Sequence, residues 1–193
     1  MDHDGTQSAD SHAELPLALA NTVYTRHGKI RDDLAEPAQL AAWLARIASA
    51  LETPLPGPGP TAVTEADLRD ARELRDAVRA VLAALDDGAA PDAESRYRLN
   101  WRAAAAPAWS QLQWDDGPVR VRVSDAPPVS AALSEIAGAA VDLFASRTGA
   151  SLAACASPEC IRYFAKTDPR RKWCSPQCGN RARVRTHYHR TRR

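Results

Sequence analysis

The sequence predicts a mainly helical α+β protein with one small antiparallel hairpin and a short cysteine-bearing segment at its C-terminus. Three observations carry that prediction: apolar residues recur at helical spacing through most of the chain, the period switches to alternation near residues 109–123, and all 4 cysteines fall after position 154. The 193 residues are 45% hydrophobic and 25% charged, ordinary globular usage that excludes wholesale disorder and a coiled rod. Apolar runs such as 129–145 are broken by Ser134, Glu135 and Asp142, and the start lacks a basic, apolar and small-residue cleavage pattern. Neither a membrane span nor a secretion signal is therefore expected.

Residues 1–13 are polar and read as a disordered N-terminus, with His3 and His12 solvated. The stretch LPLALANTVYTRHG is compatible with a short helix or a strand, the helix preferred, and Gly28 ends it. Pro37 suits a first helical turn, and Leu40, Trp43, Leu44, Ile47 and Leu51 share one face, which predicts a helix over 37–51. TPLPGPGP is a loop. Thr64 and Asp67 form a shortened capping box, and Leu68, Ala71, Leu74, Val78, Val81, Leu82 and Leu85 extend a helix to about Asp87, stopped by Gly88. A third helix follows Pro91, carries Tyr97 and Trp101 one turn apart, and fades before Pro107. Trp109, Leu112 and Trp114 then lead to Asp116-Gly117, and Val119, Val121 and Val123 alternate with Arg120 and Arg122, a hairpin with one face exposed. Val129, Leu133, Ile136, Ala140, Leu143 and Phe144 make a last long helix. The expected packing sets the helices against a two-stranded or slightly larger sheet.

The formal charge of +1 conceals a division. Residues 155–193 carry 11 Lys or Arg against 2 acids, and residues 1–154 carry 14 against 22, so an acidic body precedes a basic tail. Inside that tail, Cys155, Cys160, Cys174 and Cys178 are spaced C-x4-C, 13 residues, C-x3-C. Clustered pairs describe one metal site rather than a disulfide scaffold, which implies a reducing, cytoplasmic setting. Four thiolates close the tetrahedral sphere of one structural Zn(2+) per chain, with no position open for catalysis. So few large apolar residues cannot fold this segment alone, so the metal has to contribute folding free energy of the order of 10 kcal/mol or more. Ser175 caps and Pro176 opens a helix, which makes this a small zinc finger ending in a basic helix. His187 and His189 lie more than two turns past Cys178 and read as solvent or phosphate contacts. Trp173, Tyr163 and Phe164 read as packing for the finger's core.

The segment WCSPQCGNRARVRTHYHRTRR, after C-ASPE-C and IRYFAKTDPRRK, resembles the CGNR zinc finger, its naming tetrad present as Cys178, Gly179, Asn180 and Arg181. LALANT, LAAWLARI, ELRDAV, Leu99-Asn100 and EIAGAAVDLF resemble, in order, the ABATE domain that this family carries before its finger. The resemblance spans nearly the whole chain and implies domains at 14–150, a sensor or dimerisation domain, and 151–193, the zinc finger. It further implies a bacterial, stress-induced transcription regulator whose finger binds DNA.

Dense arginine beside a metal-held helix suits phosphate. Candidate nucleic-acid contacts are Lys166, Arg170, Arg171, Lys172, Asn180, Arg181, Arg183, Arg185, Arg190, Arg192 and Arg193. Arg183, Arg185, Arg190, Arg192 and Arg193 are assigned to phosphates. Asn180 and Arg181 either read bases or brace the zinc loop. Asn21, Thr22, Arg26 and Asn100 are candidates for a ligand pocket of unknown ligand, the alternative being that each caps a helix or satisfies a buried carbonyl. A DNA-binding regulator, with a homodimeric body as one arrangement, leads the functional reading. An RNA-binding or ribosome-associated module and a protein-interaction adaptor are the alternatives. Enzymatic activity is not expected, because the sequence has no phosphate-cradling glycine loop, no H-E-x-x-H and no cysteine outside the metal cluster.

Overall fold

Periodic apolar faces form as expected, and they bury against one another rather than against a sheet. A computed structural model describes residues 4–55, 62–114, 116–146 and 151–191, with side chains from His12 to Arg185 within those ranges. In order come α1 (Asp4–Ala20), a hairpin of β1 (Val23–Arg26) and β2 (Lys29–Asp32), α2 (Pro37–Ile47), a 3₁₀ turn (Ala48–Ala50), α3 (Glu65–Asp86) and α4 (Ala93–Ala104). A second hairpin, β3 (Trp109–Trp114) and β4 (Pro118–Val123), precedes α5 (Pro128–Ala145). β5 (Leu152–Ala154), β6 (Tyr163–Ala165) and α6 (Pro176–Thr191) complete the chain. The three hairpins are separate antiparallel pairs.

Local signals set the helix ends. Thr64 Oγ accepts from the Asp67 N–H at 3.1 Å while Asp67 accepts from the Thr64 N–H at 2.8 Å, the reciprocal box that starts α3. Gly88, at φ 67°, takes the left-handed turn that ends it. Leu15, Leu19, Leu40, Leu44, Leu74, Val78, Leu133 and Ile136 from α1, α2, α3 and α5 form one core. The apolar helix α5 has the length and composition of a membrane span, yet 10 of its residues are buried inside the protein.

Four expectations are corrected. LPLALANTVYTRHG is helix only to Ala20; its second half is β1, which returns through His27 (φ 51°) and Gly28 (φ 72°) in a primed two-residue turn. Residues 4–13 of the segment read as a disordered start are helical backbone, because α1 runs unbroken into the core helix; residues 1–3, including His3, lie outside the described residues. Rather than being solvated, His12 faces Glu135 with Nε2 at 3.3 Å. Finally, the β3–β4 hairpin offers no core-facing sheet: every β3 residue is exposed, and Leu112 and Trp114 are each 72% exposed. Two strands have too little area to cover four helices, so the helices cover one another.

Buried charges tie the layers together. Arg75 of α3 donates to Asp32 at the end of β2 at 2.6 Å, and Arg102 of α4 reaches Asp70 of α3 at 2.9 Å with its guanidinium over Trp101. Each removed guanidinium would leave a carboxylate facing a low-dielectric wall.

Glu135 accepts the N–H groups of Glu52 and Thr53 at 2.6 and 2.9 Å as well as His12. The hydrogen bond to Glu135 raises His12 above the ordinary 6.5 against the opposing effect of burial. Burial alone would raise Glu135, but His12 and the two backbone donors hold it below 4.5. The His12 contribution to stability is therefore fully present below pH 6.5 and is lost as pH rises through its raised value; the Glu135 contribution is present above pH 4.5 and is lost as pH falls. In urea unfolding, the stability deficit of His12→Gln relative to wild type is expected to shrink steadily as pH is raised above neutrality, and a deficit independent of pH would contradict the pairing.

Candidate metal centre and basic helix

Two loops converge to make the site. Between Cys155 and Cys160, Glu159 adopts φ 64° and the Cys160 N–H bonds the Ser157 carbonyl at 3.1 Å, turning the chain so that both thiols face inward. The second pair sits on the first turn of α6, where Ser175 Oγ accepts the Cys178 N–H at 3.3 Å and Pro176 opens the helix. All four sulfur atoms lie within 4.8 Å of one another, with Cys160–Cys174 at 3.8 Å and Cys174–Cys178 at 3.6 Å. A tetrahedral ion with Zn–S bonds of ~2.3 Å spaces its sulfurs by about 3.8 Å, so the cluster fits zinc. The Cys174 N–H also points at Cys155 Sγ at 3.3 Å, stabilising thiolate charge. Burial pushes the Cys174 and Cys160 thiols up. Burial also opposes ionisation of Cys178, but hydrogen bonds from Ser175 and the neighbouring thiols outweigh it and bring that group down to about 7. Cys178 thus ionises more readily than Cys160 and Cys174, as expected of a cluster whose full charge needs a divalent cation. The site takes one structural zinc per chain, with the sphere closed by protein.

Around the cluster, Phe164 and Trp173 pack against the cysteines. Gly179 has a steric reason: a Cβ there would lie 3.1 Å from Cε3 of Trp173, so any side chain would press the indole away from the helix by a few tenths of an ångström. Arg171 supplies the frame that sequence reasoning had offered to Arg181. Its guanidinium donates to the Trp173 carbonyl at 3.1 Å and the Cys174 carbonyl at 2.8 Å and lies over Phe164. Arg181 is exposed, with no side-chain hydrogen bond or ion pair among the described residues. Asn180 accepts from Arg183 at 2.5 Å. Arg170, Lys172, Arg183 and Arg185 are exposed, and Lys166 is half-buried. Arg190 lies on the helical backbone, but the side chains from Thr186 onward, with His187 and His189, and all of Arg192 and Arg193, lie outside the described residues.

The structure separates the proposed pocket residues. Asn21 donates to the Tyr163 carbonyl and accepts the Tyr163 N–H, both at 2.9 Å, occupying the edge of β6 as another strand would. Thr22 is buried with its hydroxyl on the Leu19 carbonyl at 2.8 Å; Arg26 and Asn100 are exposed on β1 and α4. Asn21 and Thr22 thus satisfy backbone groups, while Arg26 and Asn100 stand on separate exposed elements. Sequence reasoning missed Arg79, which donates to Ala20 and Ile161 carbonyls at 2.8 and 3.1 Å and lies over Tyr163. Together with Asp86, which accepts the Ala154 N–H at 3.1 Å, these contacts fasten β5 and β6 to the body.

Because Leu152, Tyr163 and Ala165 pack on the body's core independently of the thiols, Cys178→Ser is expected to abolish stoichiometric zinc and melt α6 while the body keeps its cooperative unfolding transition. Metal analysis and circular dichroism check this; a variant that still binds one zinc would overturn the four-thiolate assignment.

Comparison with known proteins follows this division of the chain. Residues 13–147 match the ABATE family model, described as "Putative stress-induced transcription regulator", and residues 151–191 match the CGNR zinc finger. No curated protein matches the chain. Neither description is that of an enzyme family. With the family match covering well over half of its length and the finger's four thiols gathered at one point, the chain belongs to the ABATE family and closes in a CGNR zinc finger.

Proposed function

We propose that the protein is a DNA-binding transcriptional regulator of the reducing cytoplasm, with α6 as its DNA-contacting element. The observation that carries this reading is the state of the helix: it is pinned at its first turn by Cys178 and Gly179, contains no acid, and presents Arg181, Arg183 and Arg185 to solvent. A rigid, exposed basic helix contacts phosphates without having to be ordered on binding. In this reading Arg181, exposed and without a side-chain partner among the described residues, reads a base, and Arg183 and Arg185 bind backbone.

Binding of zinc-loaded protein to matched DNA and RNA duplexes, followed by anisotropy across a salt series, tests this. Arg185→Ala is expected to weaken binding to every sequence and to lower the salt slope by about one unit, whereas Arg181→Ala loses discrimination between DNA sequences by ~1 to 3 kcal/mol. Preference for the RNA duplex would replace this reading with the RNA-binding one.

A single short helix seldom supplies useful affinity, so the regulator acts as a homodimer in this reading. Support comes from large apolar side chains left in water: Tyr97 and Trp101 are exposed on α4, Leu112 and Trp114 on one face of the β3–β4 hairpin, and Trp109 and Val119 on its other face. Sedimentation at micromolar concentration should give a dimer that Trp114→Ser dissociates; a monomer with and without DNA would remove the dimer from the reading.

A further inference from the structure

A second feature, remote from the cysteines, has no part in the reading above. The residues of α5 at positions 131, 134, 135, 138, 139 and 142 recur at helical spacing and line a cavity of about 280 Å³. Its remaining walls are the end of α4 with the Ala106–Ala108 turn, His12 of α1, Glu52 and Arg122 of β4. Small side chains hold it open, and Gly138 does so most plainly. A Cβ at that position would meet no atom within 4 Å, so no neighbouring backbone requires a glycine in mid-helix there.

Most polar groups in the cavity are already satisfied. Ser134 Oγ donates to the Ala103 carbonyl at 2.8 Å and accepts the Ala106 N–H at 3.3 Å, and Glu135 holds two backbone N–H groups and His12. Two charged groups are not. Arg122 has a buried Nε–H without an acceptor, and its Nη1 stands 3.8 Å from Glu52, beyond hydrogen-bonding distance and shared with Arg120 at 3.7 Å. Asp142 is exposed, and its carboxylate has no ion-pair or hydrogen-bond partner among the described residues. A guanidinium whose Nε–H lacks an acceptor matches a carboxylate, and an unpaired acid lining the same cavity matches an ammonium group. A cavity of this size lies at the small end of ligand pockets.

We propose that this cavity binds a small zwitterion of the amino-acid class, with its carboxylate on Arg122 and its amine on Asp142. This goes beyond the DNA-binding reading and gives the N-terminal domain a ligand of its own. Since binding is measured without nucleic acid, its failure leaves the DNA reading of α6 untouched.

Calorimetric titration of the zinc-loaded full chain with glycine, 4-aminobutyrate and 6-aminohexanoate varies the distance between the two charges, with butyrate and butylamine as half-ligand controls. At least one zwitterion is expected to saturate with Kd below ~1 mM and to bind at least ~10-fold tighter than either control. Arg122→Gln, Asp142→Asn and Gly138→Leu should each weaken it by ~10-fold or more with zinc content unchanged, and Gly138→Ala, which adds a methyl to open space within a helix, should keep or raise the wild-type melting temperature. Absence of saturation by all three zwitterions, binding indifferent to Arg122→Gln, or butylamine binding as tightly as the best zwitterion would each overturn the proposal.

Discussion

Four sulfur atoms within 4.8 Å of one another set the terms for the last forty residues. Their charges repel, so the arrangement needs a cation, and with the cation in place it supplies what packing cannot. α6 has no apolar face to dock, and of its described side chains only Cys178 and Gly179 are buried, both at its start. Its direction is thus fixed at one end by metal coordination and by the Trp173 ring against Gly179. Beyond that point Arg181, Arg183, Val184 and Arg185 are exposed to solvent.

The finger inherits its position from a different set of forces. Asn21 completes the edge of β6, Arg79 bridges α1 and the loop before β6, and Arg162 lies over Tyr24 of β1. These are directional contacts at a partly buried seam, and Leu152, Tyr163 and Ala165 add apolar burial beneath them. Zinc organises the finger internally while the body organises where the finger points. α1 takes part in both: His12 in its middle borders the α5 cavity, and Asn21, the residue just after its last one, holds the finger.

Charge follows the same division. The acidic body uses its own arginines, Arg72, Arg75, Arg79 and Arg102, for internal carbonyls and carboxylates. No ion pair between the body's acids and the described arginines of α6 appears among the described residues. Among the described residues, Arg181, Arg183 and Arg185 of α6 thus have no carboxylate partner, whereas the body's Arg75 and Arg102 do.

What the sequence alone determined was local. Helical spacing and the Thr64–Asp67 box placed α3 to within a residue or two, alternation around Asp116-Gly117 gave the second hairpin, and cysteine spacing with Ser175-Pro176 gave both the metal site and the start of α6. Each of these signals acts within a turn or two of chain. The first hairpin escaped because four-residue strands ending in His27-Gly28 carry too little alternation to outweigh the helical run before them. Tertiary structure decided the rest: that Asn21 serves as a strand edge, that Arg171 and not Arg181 braces the zinc loop, that the tryptophan-bearing hairpin faces outward, and that residues 12, 52, 122 and 142 border one cavity. Those outcomes depend on how amphipathic faces dock across long separations in sequence, and a hydrophobic period specifies which face is buried without specifying which face it meets.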